Sequence, residues 1–316
     1  MDRLSHTTLG EIKDYVLAQA DKQLSETLGE RDEKKQGPAI TRLQHLVRSL
    51  EGRTDAKAES FLLRAFDAVP AFAKITSTPS GQDFNELLAG VLLAGTPAMK
   101  QRLAAAHGAL SGEMLFPAYD AARQTMSPAA FYKEFGPVLA GLTAKRGKKS
   151  ADHERAAALA STLTVGSVRN HQPWRPHIDH GDDETKPRPG LDPRWLDAAV
   201  EAGATELVCA IARSNHAKTN KFLSEQLAGT KPIERHTLLE TMSRIGHPGA
   251  ADAIIDAIRL QAKAPHHGYY GYWFGRMIAA LPKSEAPRFE TLLPTLPEKM
   301  VDQLLESVQE LKSKPE

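Results

Sequence analysis

One cysteine, Cys209, stands in 316 residues. No intrachain disulfide can therefore form, no cysteine-rich zinc module can be built, and a reducing compartment is implied. Aromatic residues make up only 6% of the chain, and 40 basic against 39 acidic residues leave a formal net charge of +1. That balance lacks the broad attraction to phosphate expected of a basic nucleic-acid binder or a polybasic membrane protein, and leaves room only for a local patch. No 18 uncharged apolar residues run together, and the longest such stretch, 87–98, is too short to span a bilayer. Residues 1–20 carry Asp2, Arg3, Glu11, Lys13 and Asp14 without a continuous apolar core, unlike a secretory signal. Together these absences predict a cytoplasmic protein of bacterial type.

Strand signals are also scarce, because period-two alternation of β-branched and aromatic residues never lasts more than a few positions. Helical spacing is everywhere. Ile40, Leu43, Leu46, Val47 and Leu50 follow Pro38, a suitable first-turn residue. Phe61, Leu62, Ala65 and Phe66 mark a second helix, and Leu87, Leu88, Val91 and Leu92 a third. Thr96-Pro97 and Ser127-Pro128 each place a capping hydroxyl before a first-turn proline, ahead of Met99 and Leu103 in one case and of Phe131, Phe135 and Leu139 in the other. Short helices with small turns favour stacked antiparallel hairpins over a long coiled coil.

Four regions follow from composition. Residues 1–36 read as a charged helix running into a linker, since nine charges between Asp21 and Lys35 surround only Leu24 and Leu28. Residues 37–165 read as a helical domain, and 166–192 as a long His/Pro-rich polar loop. From 193 onward the helices resemble one another. The stretch 237–260 holds one helix with Leu238, Leu239, Met242 and Ile245, a Gly-His-Pro-Gly turn, and a second helix with Ala250, Ala253, Ile254, Ala257 and Ile258. Such a hairpin cannot cover both apolar faces alone. Stacking does so, and flanking segments supply partners about 32–38 residues away, the period of two-helix repeats. A final helix with Met300, Leu304, Val308 and Leu311 caps the series.

The segment from Met242 to Ala250 resembles the inter-helical turn of a HEAT repeat, departing from its usual pattern at Ser243 and at His247, where that pattern has aspartate. The resemblance covers about a third of the chain and implies an all-α, HEAT-like α-solenoid, especially in the C-terminal part. More weakly, the Phe131-to-Phe135 helix, a basic turn, a polar loop and then 191–197 resemble bacterial HEAT-repeat proteins found beside MoxR-type AAA+ ATPases. That likeness implies a scaffold or adaptor working with such an ATPase system.

For chemistry, His171, His177 and His180 with Asp179 form the most metal-like group, its imidazoles and carboxylate suiting zinc or a similar divalent ion. Its spacing matches no closed structural site, and a solvated His-rich loop is the simpler reading. Cys209 lies in an apolar run, Leu207 to Ile211, which reads as core rather than as a nucleophile served by His216 or His236. Gly147-Lys148-Lys149-Ser150 lacks the strand and the upstream glycine of a phosphate loop. His266, His267, Tyr269, Tyr270, Tyr272 and Trp273 concentrate scarce aromatic content at one helix entry. They read either as a contact ridge for a protein partner or, for Tyr270, Trp273 and Phe274, as core. The leading expectation is a non-catalytic protein–protein interaction scaffold without cofactor. Second comes nucleic-acid binding or base processing through Arg169, Arg175, Arg188, Arg194, Arg213, Lys218 and Lys221. Third comes a metal-dependent hydrolase built on the His/Asp loop.

Overall fold

The computed structural model describes residues 9–72, 78–143, 150–164, 191–231, 235–263 and 270–315. Among the described residues there are sixteen α-helices and no strand. The chain divides into two compact units, Met1–Ile178 and Asp179–Glu316. The division falls inside the polar stretch 166–192, which lies almost wholly outside the described residues.

In the first unit the helices are α1 (Leu9–Gly29), α2 (Glu33–Arg48), α3 (Ala56–Asp67), α4 (Pro79–Ala94), α5 (Pro97–Ala105), α6 (Leu115–Thr125), α7 (Pro128–Phe135) and α8 (Ala151–Thr164). They alternate between two layers. Helices α2, α4, α6 and α8 pack successively on one another, while α1, α3 and α5 do the same on the other side. Side-chain caps set the helix starts: Asp55 accepts from the Ala58 amide at 3.1 Å, and Thr78, Thr96 and Ser127 accept from the Gly81, Met99 and Ala130 amides at 3.3 Å. The core is filled by Ile40, Leu43, Phe61, Leu62, Phe84, Leu88 and Leu103, all nearly inaccessible to solvent.

Two sequence-based expectations change here. The charged 21–36 region is not a linker, because α1 packs on α2 and seats Ala20 and Leu24 in the core. Its sparse apolar pattern suffices because Gln23 and Thr27, both buried, hydrogen-bond to each other at 3.3 Å, and Gln23 also reaches the Ala39 carbonyl at 3.4 Å. Helix α2 begins at Glu33, not behind Pro38. Asp32 caps it by accepting from the Lys34 amide, which leaves Pro38 in the second turn.

The second unit contains α9 (Arg194–Glu201), α10 (Thr205–Ile211), α11 (Ala217–Gly229), α12 (His236–Arg244), α13 (Ala250–Ala262), α14 (Tyr270–Ala280), α15 (Ala286–Leu292) and α16 (Glu298–Ser313). Here α10, α12, α14 and α16 pack in succession, with α11, α13 and α15 inserted between them along the chain. This is a stack of helix hairpins, each covering the apolar face its neighbour leaves open. Trp195 anchors the first helix in the core. Asp192 shapes its start, accepting from the Arg194 amide at 3.0 Å.

Candidate functional site

The turn between α12 and α13 sets the geometry of the second unit. Its backbone passes through Gly246 at φ +71°, a conformation that favours glycine over residues with a Cβ. The chain then folds back so that the Gly249 amide donates to Nδ1 of the buried His247 at 2.9 Å. With Nδ1 accepting, Nε2 carries the ring proton and faces the Asn220 carbonyl at 3.1 Å and Ser224 Oγ at 3.2 Å. Asn215 Nδ2 adds a bond to the Gly246 carbonyl at 3.0 Å. The imidazole thus accepts from the turn's own backbone and at the same time ties the turn to α11.

Successive helices of the same layer are hooked at their C-terminal ends. Arg244 of α12 donates to the Ala212 and Cys209 carbonyls, both at 2.7 Å, at the end of α10. Ser243 Oγ donates to the Met277 carbonyl of α14, and Lys314 Nζ to the Leu281 carbonyl at 2.9 Å. These links join residues 32 to 35 positions apart, one repeat length. Between α14 and α16 the fit is close enough that a Cβ on Gly275 would lie 2.6 Å from Ser307 Oγ.

Along the seam between α12 and α14, the His236 and Trp273 rings stand 5.9 Å apart. One turn along, Glu240 pairs with Arg276 at 3.1 Å. Trp273 is 40% exposed, whereas the adjacent Phe274 is 7% exposed. The aromatic run therefore divides at this point: Phe274 fills the core, whereas Trp273, which the core reading also placed there, is partly exposed. Tyr270 and Tyr272 belong to the first turn of α14, but their side chains lie outside the described residues, as do His266, His267 and Tyr269. Sequence reasoning missed Glu240 and Arg276 as partners of this surface. The signal available was an acidic residue four positions after His236 and a basic residue one repeat later.

The expected metal residues His171, His177, His180 and Asp179 lie outside the described residues, as does the basic turn 145–149. Among the described residues no group of three or more His, Cys, Asp or Glu side chains is placed to hold a metal ion. Cys209 is buried, and that burial pushes its thiol above its ordinary range, so the thiolate a nucleophile needs is disfavoured. Among the described residues, the four cations of the second reading each have an acidic or carbonyl neighbour. Arg194 forms a two-pronged pair with Asp192, whose carboxyl is held below its usual range by that hydrogen bond. Lys218 faces Asp197 at 3.4 Å, Lys221 faces Glu225 at 3.9 Å, and Arg213 donates to the Ala212 carbonyl. Arg169, Arg175 and Arg188 lie outside the described residues. Among the described residues no helix is long and apolar enough to cross a membrane. No family model matches the chain, and no curated protein matches it either.

Proposed function

We propose that this chain is a HEAT-like interaction scaffold that binds a protein partner through the α12–α14 seam, with Trp273 as the central contact. One observation carries the reading: a large aromatic ring left 40% exposed beside a histidine ring and an ion pair, while its sequence neighbour is buried. A rigid, partly exposed indole flanked by polar groups is the kind of residue on which binding energy concentrates. The first turn of α14 brings Tyr270 and Tyr272 into the same stretch of chain. The glycine turn and the acceptor role of His247 support the HEAT-like assignment. The weaker likeness to proteins beside MoxR-type ATPases suggests which partner system to look for first. Cation pairing at Arg194, Lys218 and Lys221 weighs against nucleic acid as the ligand.

The test is recovery of a partner from the native host by the whole chain and by Trp273→Ala. Truncating a central aromatic contact costs about 2 kcal/mol or more, so recovery at limiting bait falls at least about tenfold. Circular dichroism of the variant stays native, since the ring is not a core element. Equal recovery by the two proteins removes the seam from the reading.

A further inference from the structure

The hairpin stack brings several helix ends of the second unit to one edge. Helix α13 turns back on α12, so its last turn returns toward the start of α12, where His236 meets Trp273 near the start of α14. The same last turn of α13 faces the residues that lead into α16: Arg259, Ala262 and Lys263 line an open cleft with Thr295, Leu296 and Pro297. The cleft measures about 410 Å³, within the size range of sites that take a small ligand or peptide side chains. Its walls are apolar at Ala262, Leu296 and Pro297, and its two charged side chains are both cations. Neither is held firmly by the fold. Among the described residues the Lys263 side chain forms no ion pair or hydrogen bond, and Arg259 meets Asp256 only at 3.9 Å, with side chains 61% and 78% exposed. Glu298, next along the chain from Pro297, is exposed and outside the lining. Leu260, beside Arg259, leaves a large apolar side chain 49% exposed at the end of the same helix.

We propose, on the scaffold reading of the α12–α14 seam, that this cleft receives an acidic segment of the same protein partner, with its carboxylates on Arg259 and Lys263. Charge complementarity sets the choice of occupant. The two cations stand four positions apart on α13 and its cap, so they face the same way. Apolar walls beside them strengthen their attraction for a carboxylate above that of open surface. A peptide matches this arrangement because it presents charged and apolar side chains together, whereas a bare inorganic anion would leave the walls uncovered. Lys218, Lys221 and Arg276, on neighbouring helices, are each paired with an acid, which weighs against a phosphate backbone running on from the cleft. The acidic segment steers and orients the partner, while Trp273 supplies the fixed contact at the seam.

A labelled peptide of glutamates interspersed with leucine, and its counterpart with glutamine for glutamate, are titrated against the whole chain by fluorescence anisotropy at low salt. The glutamate peptide is expected to bind at least about fivefold more tightly. Arg259→Gln combined with Lys263→Gln, both at exposed positions, should bring that preference below about twofold, whereas Arg259→Lys with Lys263→Arg should keep it. No binding of the glutamate peptide, equal binding of the two peptides, or a preference undiminished in the glutamine pair overturns the cleft. So does a thymidine oligonucleotide of equal charge that binds more tightly than the glutamate peptide and loses affinity in the same variant. Trp273→Ala carries no change of charge, so seam and cleft fail separately. The seam fails by partner recovery that Trp273→Ala does not lower, and the cleft by a glutamate preference that the glutamine pair does not lower.

Discussion

The two units share one architecture but secure it differently. In the first, order comes from within each helix: Asp32, Asp55, Thr78, Thr96 and Ser127 all supply side-chain caps. Its repeat-to-repeat links include exposed ion pairs, Lys57–Asp14, Arg64–Asp21 and Arg102–Asp67, alongside side-chain bonds such as Thr96 to Glu59 and Gln44 to the Ser80 carbonyl. In the second, none of the α-helices for which a cap residue is described has a side-chain bond from that residue, although Asp192, one position before it, accepts from the first amide of α9. Instead Arg244, Ser243, Lys314 and His247 reach across a repeat to backbone groups of the neighbour. Local capping lets each helix form with little help, whereas hooks between repeats make each hairpin depend on the next. A surface shared by two hairpins, such as the α12–α14 seam, belongs naturally to the second kind of unit.

The contrast breaks most readily at Arg244. Arg244→Ala takes a donor from the Cys209 carbonyl and leaves the Ala212 carbonyl to Arg213, and the loss of charged hydrogen bonds at a partly buried site costs about 2–3 kcal/mol. Arg64→Ala in the first unit removes a pair whose side chains are 58% and 47% exposed, and costs at most about 0.5 kcal/mol. Urea unfolding of the two variants, with hydrogen exchange to assign each loss to its unit, measures the difference. Comparable losses would erase the distinction.

His247 gives the next effect in size. His247→Ala removes the acceptor for the Gly249 amide and the donor to Asn220, and is expected to cost about 1–2 kcal/mol. His247→Asp restores an acceptor to the turn and should recover at least half of that loss in the same urea titration. If aspartate is no better than alanine, the imidazole does more than accept from the turn.

The smallest effect sharpens the local side of the comparison. Thr96→Ala removes the cap on the Met99 amide and a 2.5 Å bond to Glu59, and should lower stability by about 1 kcal/mol. Its signature is increased exchange at the start of α5, with no more than a small rise at the start of α3, where Glu59 loses its partner. Exchange increased equally along the whole of α3 would mean that the first unit is coupled between repeats as strongly as the second.

These differences also explain what the sequence could reveal. Thr96-Pro97 and Ser127-Pro128 were legible because a cap and a first-turn proline are local signals, and both start helices as read. Phe131 and Phe135 were placed correctly, but the helix stops at Phe135 because Gly136-Pro137 turns the following stretch, Gly136–Thr143, into a 3₁₀ segment. Stacked hairpins were expected in the first unit from its short helices and small turns, but which faces meet was not legible. Its α6 buries Ala118, Ala121 and Ala122 beside Leu115 and Tyr119, and the alanines carry a weak hydropathy pattern yet pack fully buried. At the seam, the aromatic run marked the right turn of α14, but only folding could separate the exposed Trp273 from the buried Phe274. The partner side chains come from α12, 36 positions or more away, and nothing local announces them.

The most direct measurement places a photoreactive amino acid at position 273 of the whole chain in its native host and irradiates the cells. The scaffold reading predicts a discrete covalent adduct with one protein, competed away by the native chain and not by Trp273→Ala. Adducts equal in number and yield to those from an exposed position on another face, such as 221 on α11, would contradict it.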